Sequence, residues 1–322
     1  MKQLVSLVIP CFNEEACLKE CYESIKALDL QSEYELEIVF VDDGSRDNTL
    51  DVIMELAKRD ASVRYISFSR NFGKESALLA GLTYANGDFI ATMDADMQDP
   101  PSLLPQMLKT IKEEGYDCVA TRRSTRQGEP VLRSLSARMF YWLMAHFSDV
   151  SLVDGARDYR MMTRKVVDAI LSLREVNRFT KGIYQWVGFK TKWISFENVQ
   201  RSSGVSKFSF LSLLKYSFDA ITAFSTLPLQ LASVFGLLCC VGAFVFMSYV
   251  VVKTLVFGEV VKGYPSLVCL LLFLSGIEML LFGTLGTYIS RIYQEIKHRP
   301  LYIVKTSNVQ TLDNAIRTNN II

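Results

Sequence analysis

Two carboxylates one residue apart, Asp94 and Asp96, close an apolar run in Phe89-Ile-Ala-Thr-Met-Asp-Ala-Asp-Met-Gln-Asp-Pro-Pro101. Side chains on an extended chain alternate faces, so both acids are expected to project the same way from a strand's C-terminal end. Hard oxygen donors of this kind can hold Mg²⁺ or Mn²⁺ against a diphosphate, and Gln98 continues the alternation as a third oxygen donor. Asp-rich turns also follow strands for local reasons alone, so the pair by itself leaves an ordinary polar loop open. Two more polar clusters end apolar runs: Val8-Ile-Pro-Cys-Phe-Asn-Glu-Glu15 and Val41-Asp-Asp-Gly-Ser45. A carboxylate at such a place can accept the ring N–H of a pyrimidine or guanine, and another can take ribose hydroxyls. Gly44 permits a tight turn and close approach of a ligand. For Asp42-Asp-Gly-Ser45, a plain turn with a helix cap is the alternative.

These clusters need strands to carry them. Leu4–Ile9, Leu36–Val41, Val63–Phe68, Phe89–Met93 and Asp117–Thr121 read as strands. Between them, Glu15–Leu28, Asp47–Arg59, Glu75–Ala85 and Leu103–Glu114 read as helices, with Asp47 or Asn48 as N-cap for the second. The alternation predicts an α/β fold with a mainly parallel, Rossmann-like sheet wrapped by helices. Ligands of such sheets bind beyond the strands' carboxyl ends, where all three clusters fall. No Walker lysine loop and no Gly-x-Gly-x-x-Gly occurs, which removes the main support for a kinase or a dinucleotide enzyme.

Of the 322 residues, half are hydrophobic, and the net charge of +1 gives no electrostatic case for nucleic acid. The seven cysteines form no Cys-x-x-Cys, and the two histidines are too few for a histidine-ligated metal. Met1-Lys-Gln runs straight into a strand with no signal peptide, so the N-terminal half is expected in the cytosol. From Ala220 to Val252 no charge occurs, and Ser266–Ser290 is nearly as apolar. A membrane helix needs about 20 such residues, so spans are expected at Leu229–Val252 and Leu267–Ile289. Lys207, Lys215, Arg291, Lys297, Arg299 and Lys305 flank them, which predicts a hairpin with both flanks in the cytoplasm. The expected organisation is a catalytic domain over 1–206, an interfacial amphipathic segment over 207–227, two transmembrane helices over 228–290 and a cytosolic tail over 291–322. Glu278, inside the second span, is expected at a helix–helix or subunit contact.

The motifs in order resemble family 2 glycosyltransferases: Ile9-Pro-Cys-Phe-Asn-Glu-Glu15, Val41-Asp-Asp-Gly-Ser45, Arg70-Asn-Phe-Gly-Lys74, Asp94-Ala-Asp-Met-Gln-Asp-Pro-Pro101, Asp158-Tyr-Arg160 and Arg201-Ser-Ser-Gly-Val-Ser-Lys207. Within that family the chain resembles the polyprenyl-phosphate branch, including bactoprenol glucosyltransferases and dolichyl-phosphate-mannose-synthase-like enzymes. Tyr288-Ile-Ser-Arg-Ile-Tyr-Gln-Glu-Ile-Lys-His-Arg-Pro300 resembles the bactoprenol type, with Thr287 standing where many relatives carry an acid. Processive polysaccharide synthases add Gln-x-x-Arg-Trp, which this chain lacks.

The resemblance implies a glycosyltransferase-A fold in which Pro10, Phe12, Glu14, Asp42, Asp43, Asp94 and Lys74 bind a nucleotide sugar. Asp94, Asp96 and Gln98 would hold Mg²⁺ or Mn²⁺. Asp158, Asp96 and Arg160 would be catalytic, Asp158 as a base or as an orienter of Arg160. Arg122, Arg126, Arg201 and Lys207 would bind the acceptor phosphate, since arginine's fork suits phosphate oxygens. The implied reaction is inverting transfer of glucose from UDP-glucose to undecaprenyl phosphate at the cytoplasmic face of the plasma membrane, for cell-envelope glycosylation. GDP-mannose, UDP-N-acetylglucosamine or an aminosugar donor, or a non-catalytic membrane scaffold, are the alternatives. The family suggests a homo-oligomer such as a tetramer, and a lone hairpin calls for a separate flippase.

Overall fold

The computed structural model describes residues 2–28, 30, 32–123, 153, 155–196, 227–257 and 263–309. Its first part alternates strands with helices: β1 (Gln3–Cys11), α1 (Leu18–Lys26), β2 (Tyr34–Asp42), α2 (Thr49–Arg59), β3 (Val63–Phe68), α3 (Lys74–Tyr84), β4 (Phe89–Thr92), α4 (Leu104–Glu114) and β5 (Cys118–Arg123). β1 lies parallel to β2 and β4, and β2 parallel to β3. Val5, Leu7, Val8 and Ile9 of β1, and Ile38 to Val41 of β2, are fully buried. Covering both faces of a parallel sheet explains why these strands read as continuous apolar runs. Each fully buried side chain of this size contributes about 1.5–3 kcal/mol.

The second part departs from simple alternation. β6 (Ala156–Thr163) inserts antiparallel between β4 and β5, so β5 does not extend the parallel block directly. After α5 (Arg164–Ser172) and α6 (Thr180–Trp186), β7 (Thr191–Phe196) pairs parallel with β5. The sheet order is β7-β5-β6-β4-β1-β2-β3-β8, where β8 (Val304–Ser307) runs antiparallel along β3. Residues 156–196 thus supply two strands and two helices.

Local chemistry explains several boundaries. At the start of α2 the cap position is Asn48, yet Asp47 Oδ1 accepts the Thr49 N–H at 3.1 Å. α3 lies close on β1 and β2 because it presents Ala77, Ala80 and Gly81; a Cβ at Gly81 would stand 2.1 Å from Val8 Cγ1. At the opposite edge from the site, Glu37 accepts the Ser6 hydroxyl and both the Asn86 amide N–H at 2.9 Å and its side-chain Nδ2 at 3.1 Å, while Ser6 accepts the Gly87 N–H. This buried network fixes the turn from α3 into β4.

Two long helices follow, α7 (Leu227–Phe257) and α8 (Tyr264–Ile296). Among the described residues Phe273–Ile296 is the one helical segment long and apolar enough to cross a membrane, and Val234–Phe246 is a shorter apolar stretch. Glu278 is exposed on the single chain. The expected interfacial segment over 207–226 lies outside the described residues, whereas Leu227, the last residue of that segment, opens α7.

Candidate active site

The parallel block brings three chain exits side by side. Cys11 of β1 is in register with Asp42 of β2, and Val8 with Thr92 of β4. Beyond them, Asp43 N–H donates to the Cys11 carbonyl at 2.9 Å and Met93 N–H to that of Val8 at 3.1 Å.

The first two exits zip together. Asn13, at φ 55°, donates its N–H to Ser45 Oγ at 2.9 Å and accepts the Arg46 N–H at 2.8 Å. Glu14 N–H donates to Thr49 Oγ1 at 2.9 Å, and Glu14 Oε2 accepts from the Cys17 thiol at 3.2 Å. Asp42 is a turn organiser: its oxygens accept the Ser45 N–H at 3.0 Å and the Ser67 hydroxyl at 2.7 Å. Gly44 sits at φ 67°, and a Cβ there would lie 2.4 Å from the carbonyl carbon of Arg70. The close approach that requires glycine is therefore made by the chain's own backbone. Asp43, 3% exposed, accepts the Phe72 N–H at 2.6 Å and the Gly73 N–H at 2.9 Å. Burial raises its pKa, opposed by these two amides. Pro10 and Phe12 are half-buried beside this cluster.

At the third exit the strand stops at Thr92, and Ala95–Asp96 form a turn with Met97 at φ 59°. The strand whose alternation was expected to carry Asp94 and Asp96 ends at Thr92, before either acid, and Asp96 lies in the turn. The turn has its own logic, since Gln98 N–H donates to Asp96 Oδ1 at 3.2 Å and Asp94 N–H to Asp99 Oδ2 at 3.1 Å. Asp99 is fully buried and faces Arg157 at 2.9 Å. Burial and the neighbouring Asp94 push its carboxyl up to about 6, opposed by Arg157.

β6 delivers the remaining acid. Asp158 lies beside the third exit, its carbonyl accepting the Thr92 hydroxyl. Lys74, first residue of α3, reaches Asp94 at 2.7 Å and Asp158 at 2.9 Å. A cation at a helix N-terminus opposes the helix dipole, so the two carboxylates must hold it there. Burial disfavours the Lys74 charge, but Asp158 and Asp94 outweigh it and raise its pKa well above an ordinary lysine. Conversely, burial works against ionised Asp158, but Lys74 and Lys181 win and hold it well below the usual carboxylate range. Beside Lys74, Glu75 accepts both the N–H and the hydroxyl of Thr180.

Arg160 is buried with its guanidinium 3.5 Å from the Tyr184 ring centroid, and its Nη2 donates to the Arg157 carbonyl at 3.3 Å. Arg122, exposed on β5, donates Nε–H to Ser195 at 2.9 Å. Arg126, Arg201 and Lys207 lie outside the described residues. Asp43, Lys74, Asp94, Asp96, Gln98 and Asp158 are thus gathered at one sheet edge. The sequence reading missed Arg157, Asp99, Glu75 and Thr180. No local signal marks the Asp99–Arg157 pair, whose members lie 58 residues apart in the chain.

Among the described residues no three His, Cys, Asp or Glu side chains cluster as a metal cage. The oxygen set of Asp94, Asp96 and Gln98 fits a different mode. Mg²⁺ is commonly held by one or two carboxylates and completes its shell with substrate phosphates and water.

The chain was compared with known proteins. The profile described as "Glycosyl transferase family 2" matches residues 6–171. A putative glycosyltransferase of Bacillus subtilis is 42% identical over 314 residues, covering 97% of this chain and 95% of the relative. The prophage-derived bactoprenol glucosyl transferase of Shigella flexneri is 41% identical over 304 residues, covering 94% of this chain and 98% of the relative. A prophage bactoprenol glucosyl transferase homolog of Escherichia coli is 41% identical over 301 residues, again covering 94% and 98%. With the acidic clusters on the carboxyl edge of a mostly parallel sheet, these matches establish that the chain belongs to glycosyl transferase family 2 and is a glycosyltransferase.

Proposed function

We propose that the protein transfers glucose from UDP-glucose to a polyprenyl phosphate at a membrane surface, with inversion at the anomeric carbon. The observation that carries this reading is the match to bactoprenol glucosyl transferases over nearly the whole chain. It includes the long apolar helices, which lie beyond the part covered by the family profile. Pro10, Phe12 and Glu14, braced against the Asp42–Ser45 turn, form the wall for the nucleotide. Asp43 shapes that wall by fixing residues 72–73, and keeps lone pairs for the base or ribose. Asp94, Asp96 and Gln98 would hold Mg²⁺ or Mn²⁺, which when bound neutralises the diphosphate leaving group.

In the reaction an acceptor phosphate oxygen forms the new bond to the anomeric carbon while the bond to the diphosphate breaks, its electron pair leaving with UDP. The acceptor's second pKa lies near ~6, so its nucleophile is already charged and no proton need be removed. Asp158 suits that demand: a carboxylate held at a low pKa is a poor proton acceptor. Its role is to position Lys74, whose ammonium then meets the charge developing on the departing diphosphate. Arg160 supports this strand from below the site by stacking on Tyr184. Arg122, and Arg126, Arg201 and Lys207 beyond the described residues, are the proposed acceptor-phosphate ligands.

The described tail supports a membrane hairpin. The chain leaves the catalytic sheet after β7 and returns to it as β8. Strands of one sheet share one side of a bilayer, so the intervening chain crosses it an even number of times or not at all. The two spans, the multi-pass anchoring in the plasma membrane with a cytoplasmic catalytic domain, the interfacial segment, the homo-oligomer and the separate flippase belong to this proposal. The test is mass spectrometry of the lipid formed when purified protein receives Mg²⁺, undecaprenyl phosphate and a mixture of UDP-glucose, UDP-N-acetylglucosamine and GDP-mannose. A hexosyl lipid labelled only from UDP-glucose is expected; labelling from another donor would overturn the donor assignment.

A further inference from the structure

We propose that Tyr302, in the segment that returns from α8 to the sheet edge, is a positioning residue for the donor site. Resting on the reading above, the inference concerns how the donor-side loop over residues 69–74 is held. Tyr302 stacks on Phe68, with ring centroids 4.9 Å apart and planes 14° from parallel. Phe68 in turn meets Phe72 edge-on at 5.8 Å. Phe72 and Gly73 are the two residues whose N–H groups bond Asp43, and Lys74 follows at once with its bridge to Asp94 and Asp158. One side chain therefore braces the aromatic base of the loop that leads into Lys74.

The neighbouring backbone locks the same piece. Ser69 N–H, where the loop starts, donates to the Ile303 carbonyl at 2.9 Å. Asn308 accepts the Tyr65 N–H at 2.7 Å, and its amide donates to the Val63 carbonyl at 3.0 Å. Gly73, at φ 98°, gives the loop a backbone conformation that other residues rarely adopt. Aromatic pairs of this geometry add to burial, and losing them leaves the Phe68–Phe72 unit without its outer face.

The experiment uses the full-length protein in detergent, with Tyr302→Ala and Tyr302→Phe. Hydrogen exchange is followed at the amides of residues 70–74, and UDP-glucose affinity by calorimetry. Tyr302→Ala is expected to speed exchange at Phe72 and Gly73 by about tenfold and weaken UDP-glucose by about fivefold. Exchange in α4 should stay unchanged, and Tyr302→Phe should keep wild-type values for both. Unchanged exchange at Phe72 and Gly73, or faster exchange throughout the domain, would overturn the proposal. So would a loosened loop with unaltered affinity. Wild-type protein that binds no UDP-glucose would instead sink the functional reading, and with it the donor side of this proposal, while exchange still reports on the loop.

Discussion

At the scale of single residues, the site is a set of charges that hold one another in place. Lys74 is the centre of that set, because both Asp94 and Asp158 spend a carboxylate on it. Lys74→Met should lower the rate of sugar transfer about 10²-fold or more, as loss of a preorganised cation usually does. Lys74→Arg should recover part of it, and initial rates with UDP-glucose and polyprenyl phosphate check both. A Met variant within twofold of wild type would remove Lys74 from the mechanism. Asp43 makes a second case. Asn at this position would turn an NH₂ group toward one of two N–H donors, so Asp43→Asn should cost about 1–3 kcal/mol, read by denaturant unfolding. The acidic pair was legible in the sequence because two further polar clusters also end apolar runs, which an isolated Asp-rich turn would not predict. The Asp99–Arg157 pair was not, because its members are far apart in the chain and meet only once β6 inserts beside β4. Strand alternation cannot be carried to Asp94 and Asp96 for a related reason: the strand stops at Thr92.

Elements position these residues through close backbone contacts that hydropathy does not encode. Gly81 is where α3 meets the sheet, so Gly81→Val should destabilise the fold by about 1–3 kcal/mol through overpacking against Val8 and Val41. A lower midpoint of thermal unfolding checks this, and an unchanged midpoint would mean that α3 can lift away freely. On the other side of the sheet, Asp60 ties three elements: it accepts from Ser62, from the Tyr22 hydroxyl at 2.8 Å, and pairs with Lys26 at 3.0 Å. Burial opposes its charge, but these partners win and hold its pKa below the usual carboxylate range. A group depressed in the folded state stabilises above its unfolded pKa, near ~3.9, and loses that contribution as pH falls toward the folded value. Asp60→Asn should therefore cost about 1–2 kcal/mol near neutral pH, shrinking below pH ~4, as followed by urea unfolding across pH. The helices and strands were legible through residue 121 because short apolar runs alternate with more polar, helix-length stretches. β6, β7 and β8 were not: short strands that pair across long sequence separations carry little local signal, and β8 follows a long apolar helix.

For the whole molecule, β8 is the informative piece, since it returns the chain to the catalytic sheet after α7 and α8. The proposed hairpin, with two membrane crossings, satisfies that return; a single crossing does not. The protein should accordingly stay in the membrane pellet through an alkaline carbonate wash, and a protease added outside right-side-out cells should spare both the sheet and the C-terminal strand. Cleavage of either from outside would reverse the orientation. The helices' apolarity was plain in composition, while the contacts they make were not, since an apolar helix carries no pairing pattern in one chain. The proposed function joins these scales: sugar transfer at a bilayer surface, with a divalent metal held by the acidic turn. The most direct test is mass spectrometry of lipid extracts after purified protein in nanodiscs is given UDP-glucose, undecaprenyl phosphate and Mg²⁺, beside the Asp96→Asn variant and an EDTA control. The account predicts a hexosyl polyprenyl phosphate from wild type alone; the same lipid formed equally by Asp96→Asn or in EDTA would contradict it.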